Sequence, residues 1–161
     1  GLDFRIVEPL FMDYYQNEYC DVVKVTSRVA HAGAALQAAQ KITPNVALAT
    51  IPIFPLIAIE ERMRWAGISD FPFALVTSFE MMHASKPHPE YYAEIAYHLN
   101  CAPEECLMIG NDYHDDMIAK AVGMKTFLVT DFAMREDKKK YEPDYQGSLK
   151  EVAGFLSSLI K

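Results

Sequence analysis

The stretch CLMIGNDYHDDMIAKAVGMKTFLVTD, residues 106–131, decides the fold. It opens on an apolar run, CLMIG at 106–110, and breaks into the acidic cluster Asp112, Asp115 and Asp116. A short helical segment over 115–122 stops at Gly123, and a second apolar run, TFLVT at 126–130, ends in Asp131. Each run is too short for a helix and rich in aliphatic, aromatic or threonine residues, the pattern of strands. Both are apolar at nearly every position rather than alternating, which suits strands covered on both faces of a parallel sheet.

The same pattern extends toward the N-terminus, with VALAT at 46–50 and FALVT at 73–77. Helical periodicity fills the intervals. Pro55 opens one helix, carried by Leu56, Ile59 and Met63 and stopped at Gly67. Tyr91, Tyr92, Ile95, Ala96 and Leu99 line a second, and Leu149, Val152, Ala153, Leu156, Leu159 and Ile160 form a C-terminal amphipathic stripe. Strand and helix therefore alternate from residue 46 onward, predicting an α/β, Rossmann-like doubly wound parallel sheet with right-handed crossovers. Residues 1–43 lack a strand pattern. They read as two helices, Pro9–Tyr19 and His31–Gln40, a helical subdomain or part of one leading into a core at 44–161. Residues 131–148 read as a polar loop whose Lys138–Lys140 run is a solvated surface.

With 161 residues the chain is about one domain. Its 15 Lys and Arg against 22 Asp and Glu give a net charge of −7, which argues against a nucleic-acid partner held through phosphate contacts. Apolar residues make up 51%, enough to fill a core. No apolar run approaches the roughly 18 residues of a membrane span, and GLDFRIVEPL shows no secretory pattern. Cys20, Cys101 and Cys106 form no C-x-x-C pair and fit reduced thiols of a cytoplasmic protein.

In open parallel sheets, ligands bind beyond the carboxyl ends of the strands. Those ends carry Thr50, then Ser78 with Lys86 a few residues on, then the Asp112–Asp116 cluster, then Asp131. Hydroxyl and ammonium groups suit phosphate oxygens, and strand-end carboxylates suit Mg²⁺, which prefers oxygen ligands. Each residue also has an ordinary explanation: threonine fits strands, loop lysines are solvated, and aspartates favour helix starts. Their order on successive strand ends is what carries weight.

Three segments, VALATIPIFP, HASKPHPEYY and CLMIGNDYHDDM with AVGMKTFLVTD, resemble the second, third and fourth motifs of the haloacid dehalogenase-like hydrolases. The likeness is to the phosphatase type with an N-terminal helical cap. It implies a Mg²⁺-dependent phosphoric monoester hydrolase acting on a small phosphorylated metabolite through an aspartyl-phosphate. It also implies roles: Thr50 binds the phosphoryl group, Lys86 neutralises charge on the nucleophile and that group, Asp112 ligates Mg²⁺, and Asp116 helps hold the metal or orients its ligands. Asp116 is preferred to Asp115 because the family spaces these residues four apart.

Two features depart from the family. Its first motif, D-x-D-x-[TV], holds the nucleophile and the general acid/base at the end of the central strand, and no D-x-D occurs in this chain. Without that strand the sheet has two unpaired inner edges, each orphaned buried group costing on the order of 1–3 kcal/mol. The expectation is that this chain is a truncated piece of a longer one and does not hydrolyse esters unaided. Alternatives are a non-catalytic relative that binds phosphate, metal or a partner, and an oligomer that borrows the missing strand. Ile51 is the second departure, since the family often has Asn after the motif threonine.

Other residues have plainer readings. His83, His88 and His114 are expected as solvated loop histidines, His114 being the exception to watch because it lies in the acidic motif. Phe11, Tyr14, Tyr15 and Tyr19 are expected to form the core of the helical lead-in. A receiver domain would place its acidic pair after an early strand, and a dinucleotide-binding fold would show G-x-G-x-x-G after a strand, which is absent.

Overall fold

The computed structural model describes residues 3–160. Among the described residues there are five α-helices and five short strands, with 3-10 segments rather than α-helices between β3, β4 and β5. The helices are α1 (Phe4–Asn17), α2 (Ala32–Ile42), α3 (Leu56–Ala66), α4 (Pro89–His98) and α5 (Leu149–Ser158). The strands are β1 (Ala47–Leu48), β2 (Leu75–Val76), β3 (Leu107–Gly110), β4 (Lys125–Val129) and β5 (Tyr145–Gly147). All strand pairing is parallel, in two pieces: β1 with β2, and β3-β4-β5 in that order. Among the described residues β1 and β3 each keep one edge without a strand partner.

Local chemistry sets the element ends. The N–H of Arg5 donates to the Asp3 carboxylate at the start of α1. That cap lets the helix begin before Pro9, which lies inside it rather than at its start. Gly67 and Gly123 take positive φ (72° and 96°) and terminate α3 and the 3-10 segment Met117–Val122, both stops being legible in the sequence. Glu151 reaches back to the N–H of Ser148 (2.8 Å) and closes a capping box on α5.

Helices cover both faces of the sheet. On one face Leu75, Tyr91, Tyr92, Ile95, Ala96, Ile118, Ala119 and Met124 form a buried cluster. On the other, Phe127 and Val129 of β4 pack with Ala38 of α2 and Val152 and Leu156 of α5. The small Ala38 lets α2 approach α5 closely. Tyr19 is buried against Trp65 of α3, ring centroids 5.1 Å apart, whereas Phe11 is exposed, so the aromatic group of the N-terminal segment packs only in part. Leu159 and Ile160, expected on the buried stripe, are about half exposed because α5 ends at Ser158.

β5 lies in the segment read as a loop. Its Tyr-Gln-Gly sequence has no strand pattern of its own and is held from outside by Asp144. The Asp144 carboxylate accepts from the N–H (3.0 Å) and hydroxyl (3.1 Å) of fully buried Thr126 and pairs with Lys120 (3.0 Å). Burial works against the charge, but Lys120 and the Thr126 donors outweigh it and hold the carboxyl below its ordinary value. Asp144→Ala should therefore cost about 1–3 kcal/mol in urea unfolding at pH 7, by stranding the Thr126 donors. Because the folded-state pKa is the lower one, the ionic share of that difference is present above about pH 4 and fades as the pH falls through the folded value.

Candidate active site

The acidic cluster is built on Gly110, the last residue of β3. The Asp116 side chain folds back over it, so a β-carbon at 110 would lie 2.7 Å from the Asp116 Cβ and overlap its carboxylate. Seated there, Asp116 Oδ2 accepts the N–H groups of Asn111 and Asp112, both at 3.0 Å. Its Oδ1 takes the Lys86 ammonium at 2.6 Å, with both side chains 7% exposed. Lys86 Nζ also lies 5.8 and 5.9 Å from the ring centroids of Tyr91 and Tyr92.

Asp112 uses Oδ1 to accept the N–H groups of His114 (2.9 Å) and Asp115 (3.0 Å), which shapes the turn. Its Oδ2 receives Arg135 Nε at 2.6 Å. The same guanidinium reaches Asp115 Oδ2 at 2.8 Å and Oδ1 at 3.2 Å. Arg135 gets there because its loop is stitched to the cluster: the Tyr113 N–H donates to the Met134 carbonyl (3.0 Å) and the Met134 N–H to the Asn111 carbonyl (2.8 Å). Its backbone is left-handed (φ 54°), a region costing a side-chain-bearing residue on the order of 1 kcal/mol. Burial opposes the charge, but Asp112 and Asp115 together hold the guanidinium above its ordinary pKa.

Thr50 lies just past β1. Its hydroxyl donates to the Thr77 carbonyl (3.0 Å), and its N–H donates to the Thr77 hydroxyl (2.8 Å). Tyr91 links it to the cluster, with its hydroxyl on the Thr50 carbonyl and its ring beside Lys86. The Tyr92 hydroxyl donates to the Asp115 carbonyl (2.5 Å). Burial raises both tyrosines well above their ordinary pKa, so they remain donors. Lys86, Asp112 and Asp116 thus come together directly. Thr50 is joined through Tyr91, and among the described residues it makes no hydrogen bond to Lys86 or the aspartates.

The histidines separate. His83 bonds Glu94 (2.7 Å) with an exposed ring, His88 precedes α4, and His114 contacts Asp115 (2.9 Å). Glu94 also accepts the N–H groups of His83 and Ala84, and so anchors the loop that delivers Lys86. Arg135, Tyr91, Tyr92, Thr77 and Glu94 also build the site, and none of them carries a site signal legible in the sequence. The tyrosines were legible as core, but a hydroxyl's partner has no sequence signature, and Arg135 is one cation in a polar loop.

Among the described residues no group of three or more His, Cys, Asp or Glu side chains is disposed as a cation cage. The donor chemistry still suits a hard cation. Asp112 Oδ2 is a carboxylate oxygen held by no backbone group, and Arg135 supplies its positive partner.

A family model described as HAD-hydrolase-like matches residues 83–152, the span from the Lys86 loop to α5. Pyrophosphatase PpaX of Anoxybacillus flavithermus is 35% identical over 98 residues, covering 60% of this chain and 44% of that protein. The Bacillus velezensis PpaX is 36% identical over 84 residues, 52% of this chain and 38% of that one. The chain thus spans less than half the length of these relatives. A HAD phosphatase from Thermococcus onnurineus superposes with a TM-score of 0.64 at 21% identity, over 80% of this chain and 57% of its own. L-2-haloacid dehalogenase from Xanthobacter autotrophicus gives 0.66 at 17% identity, over 81% and 61%. Residues 83–152 are thus similar in sequence to the HAD-hydrolase-like family, and the fold of the chain is similar to that of the HAD phosphatase and the haloacid dehalogenase. Among its relatives, the named pyrophosphatases share the sequence and the phosphatase and dehalogenase share the fold.

Gly110→Ala should displace Asp116 and lower the melting temperature by roughly 3–10 °C, as overpacking costs about 1–3 kcal/mol. Gly154→Ala, in α5 with open space at its β-position, should leave it level or slightly higher. Differential scanning calorimetry of the two variants checks the contrast.

Proposed function

We propose that this chain carries the phosphate- and Mg²⁺-binding part of a phosphoric monoester or pyrophosphate hydrolase acting on a small phosphorylated metabolite. One observation carries the reading: the buried Lys86–Asp116 pair, seated on Gly110 beside Asp112 at the carboxyl end of β3. A buried ammonium there can meet phosphoryl oxygens, and the Thr50 hydroxyl at the end of β1 would donate to them by turning its O–H away from the Thr77 carbonyl. Asp112 would hold Mg²⁺ through Oδ2. Asp116, with both oxygens committed, would orient the Asp112 turn and Lys86 rather than act as the main ligand. Mg²⁺, when bound, would supply positive charge against the transferring phosphoryl group. The named pyrophosphatases make pyrophosphate the first substrate to try.

The chain has no D-x-D, so the nucleophile must come from elsewhere. The open edges of β1 and β3 favour a strand from a longer form of the polypeptide, or from another chain. Residues 1–43 are read as the lead-in from a cap, with α2 resting on the core. An intact mass of the native polypeptide well above 18.2 kDa, with D-x-D in the added N-terminal part, is the expected result. A native mass of 18.2 kDa would shift the reading to a non-catalytic or strand-borrowing relative.

Three measurements on the chain test the site. Calorimetric titration should show weak Mg²⁺ binding that Asp112→Asn abolishes. Arg135→Gln should tighten binding severalfold, because the guanidinium and the cation use the same Asp112 oxygen. The chain alone should not turn over pyrophosphate or an aryl phosphate. Mg²⁺ binding indifferent to Asp112→Asn, or Mg²⁺-dependent turnover by the isolated chain, would sink the reading.

A further inference from the structure

Away from the acidic cluster, Cys101 and Cys106 bring their sulfurs to 3.3 Å. Both thiols are free and half-buried, and the turn between them is held from several sides. The Cys101 N–H donates to the Ala96 carbonyl (3.1 Å) at the end of α4, and the Cys106 N–H to the Pro103 carbonyl (2.9 Å). Glu105 clamps the turn by accepting the Ala102 N–H (2.9 Å). At the far side, the Lys125 N–H donates to the Cys106 carbonyl (3.0 Å), which fixes Cys106 to the sheet. Asn100, in the left-handed region (φ 53°), turns the chain into this loop. The two sulfurs are therefore presented to each other by folded backbone.

We propose that Cys101 and Cys106 are a reversible dithiol–disulfide site, closed by exchange with a low-molecular-weight disulfide such as oxidised glutathione. The chemistry balances in two exchanges. The Cys101 thiolate attacks the external disulfide, forming a mixed disulfide and releasing one glutathione thiolate. The Cys106 thiolate then attacks Cys101 Sγ, forming the internal bond and releasing the second. Two protein thiols are oxidised, one external disulfide is reduced to two thiols, and the two protein protons pass to the leaving thiolates. Burial, with the neighbouring Cys101 thiol, pushes the Cys106 thiol up to about 12, so Cys106 is a poor opening nucleophile and the reaction starts at Cys101. The bond would tie α4, which carries Tyr91 and Tyr92, to β3, which ends in Gly110. Exposed Cys20 serves as an internal control.

The test is equilibration of the whole chain in glutathione redox buffers, followed by alkylation, intact mass and peptide mapping. The expected oxidised product is lighter by the mass of two hydrogens, linked 101 to 106, with Cys20 open to alkylation. Two cysteines five apart can close in an unfolded chain as well, so the equilibrium is measured in native buffer and in denaturing urea. The folded chain should favour closure at least about tenfold, as expected for a preorganised pair, and Cys106→Ser should stop at the mixed disulfide on Cys101. Equal or weaker closure in the folded chain overturns the proposal, as does recovery of all three cysteines alkylated. Neither outcome depends on phosphate or Mg²⁺ binding.

Discussion

Asp116 is the joint on which the rest of the site depends. A carboxylate and an ammonium taken out of water lose several kcal/mol of solvation each, and their mutual attraction returns it only when the remaining lone pairs and protons are also satisfied. Here they are. One oxygen meets Lys86, the other meets two backbone N–H groups, and the ammonium rests beside two tyrosine rings. That arrangement requires a residue without a side chain at 110, because the Asp116 carboxylate occupies the space a β-carbon would take. One glycine at a strand end thus sets the path of the acidic turn and the position of a lysine thirty residues earlier.

Charge balance explains what gathers around that joint. Asp112, Asp115 and Asp116 are all nearly buried within five residues of chain, an arrangement that repels itself without cations. Lys86 answers Asp116, and Arg135 answers Asp112 and Asp115 together, a bidentate geometry that a guanidinium fits and an ammonium does not. The left-handed backbone at Arg135 is offset by these charged bonds and by the Met134 stitch. On the proposed reading a divalent cation would take over part of this role, and the loop carrying Arg135 would be the element that yields.

Much of this was legible in the residues alone. Unbroken apolar runs marked β1 to β4 because parallel strands are covered on both faces, and Gly67 and Gly123 marked helix stops because only glycine takes their φ cheaply. Of the threonine, lysine and aspartates on successive strand ends, Lys86, Asp112 and Asp116 meet directly, and Thr50 is joined to them through Tyr91. β5 escaped because its stability comes from Asp144 reaching Thr126, a contact between residues eighteen apart with no local pattern. Arg135 escaped for a related reason: its importance lies in what the loop is stitched to, not in its neighbours along the chain. The start of α1 was misplaced because Pro9 is a strong local signal that a capping aspartate six residues earlier overrides.

The division of the sheet bears on all of this. β1 delivers Thr50 and β3 delivers Asp112, yet among the described residues the two strands share no hydrogen bond, and the core is bridged by α4 through Tyr91 and Tyr92. The tyrosines reach opposite sides: one hydroxyl holds the turn after β1, the other the turn after β3. A helix can hold two strand ends that share no hydrogen bond only if its contacts are directional, and buried hydroxyl bonds are. Burial raises both hydroxyls well above their ordinary pKa, so each stays protonated as the donor to its strand-end carbonyl. Any strand that does enter would end between Thr50 and Asp112.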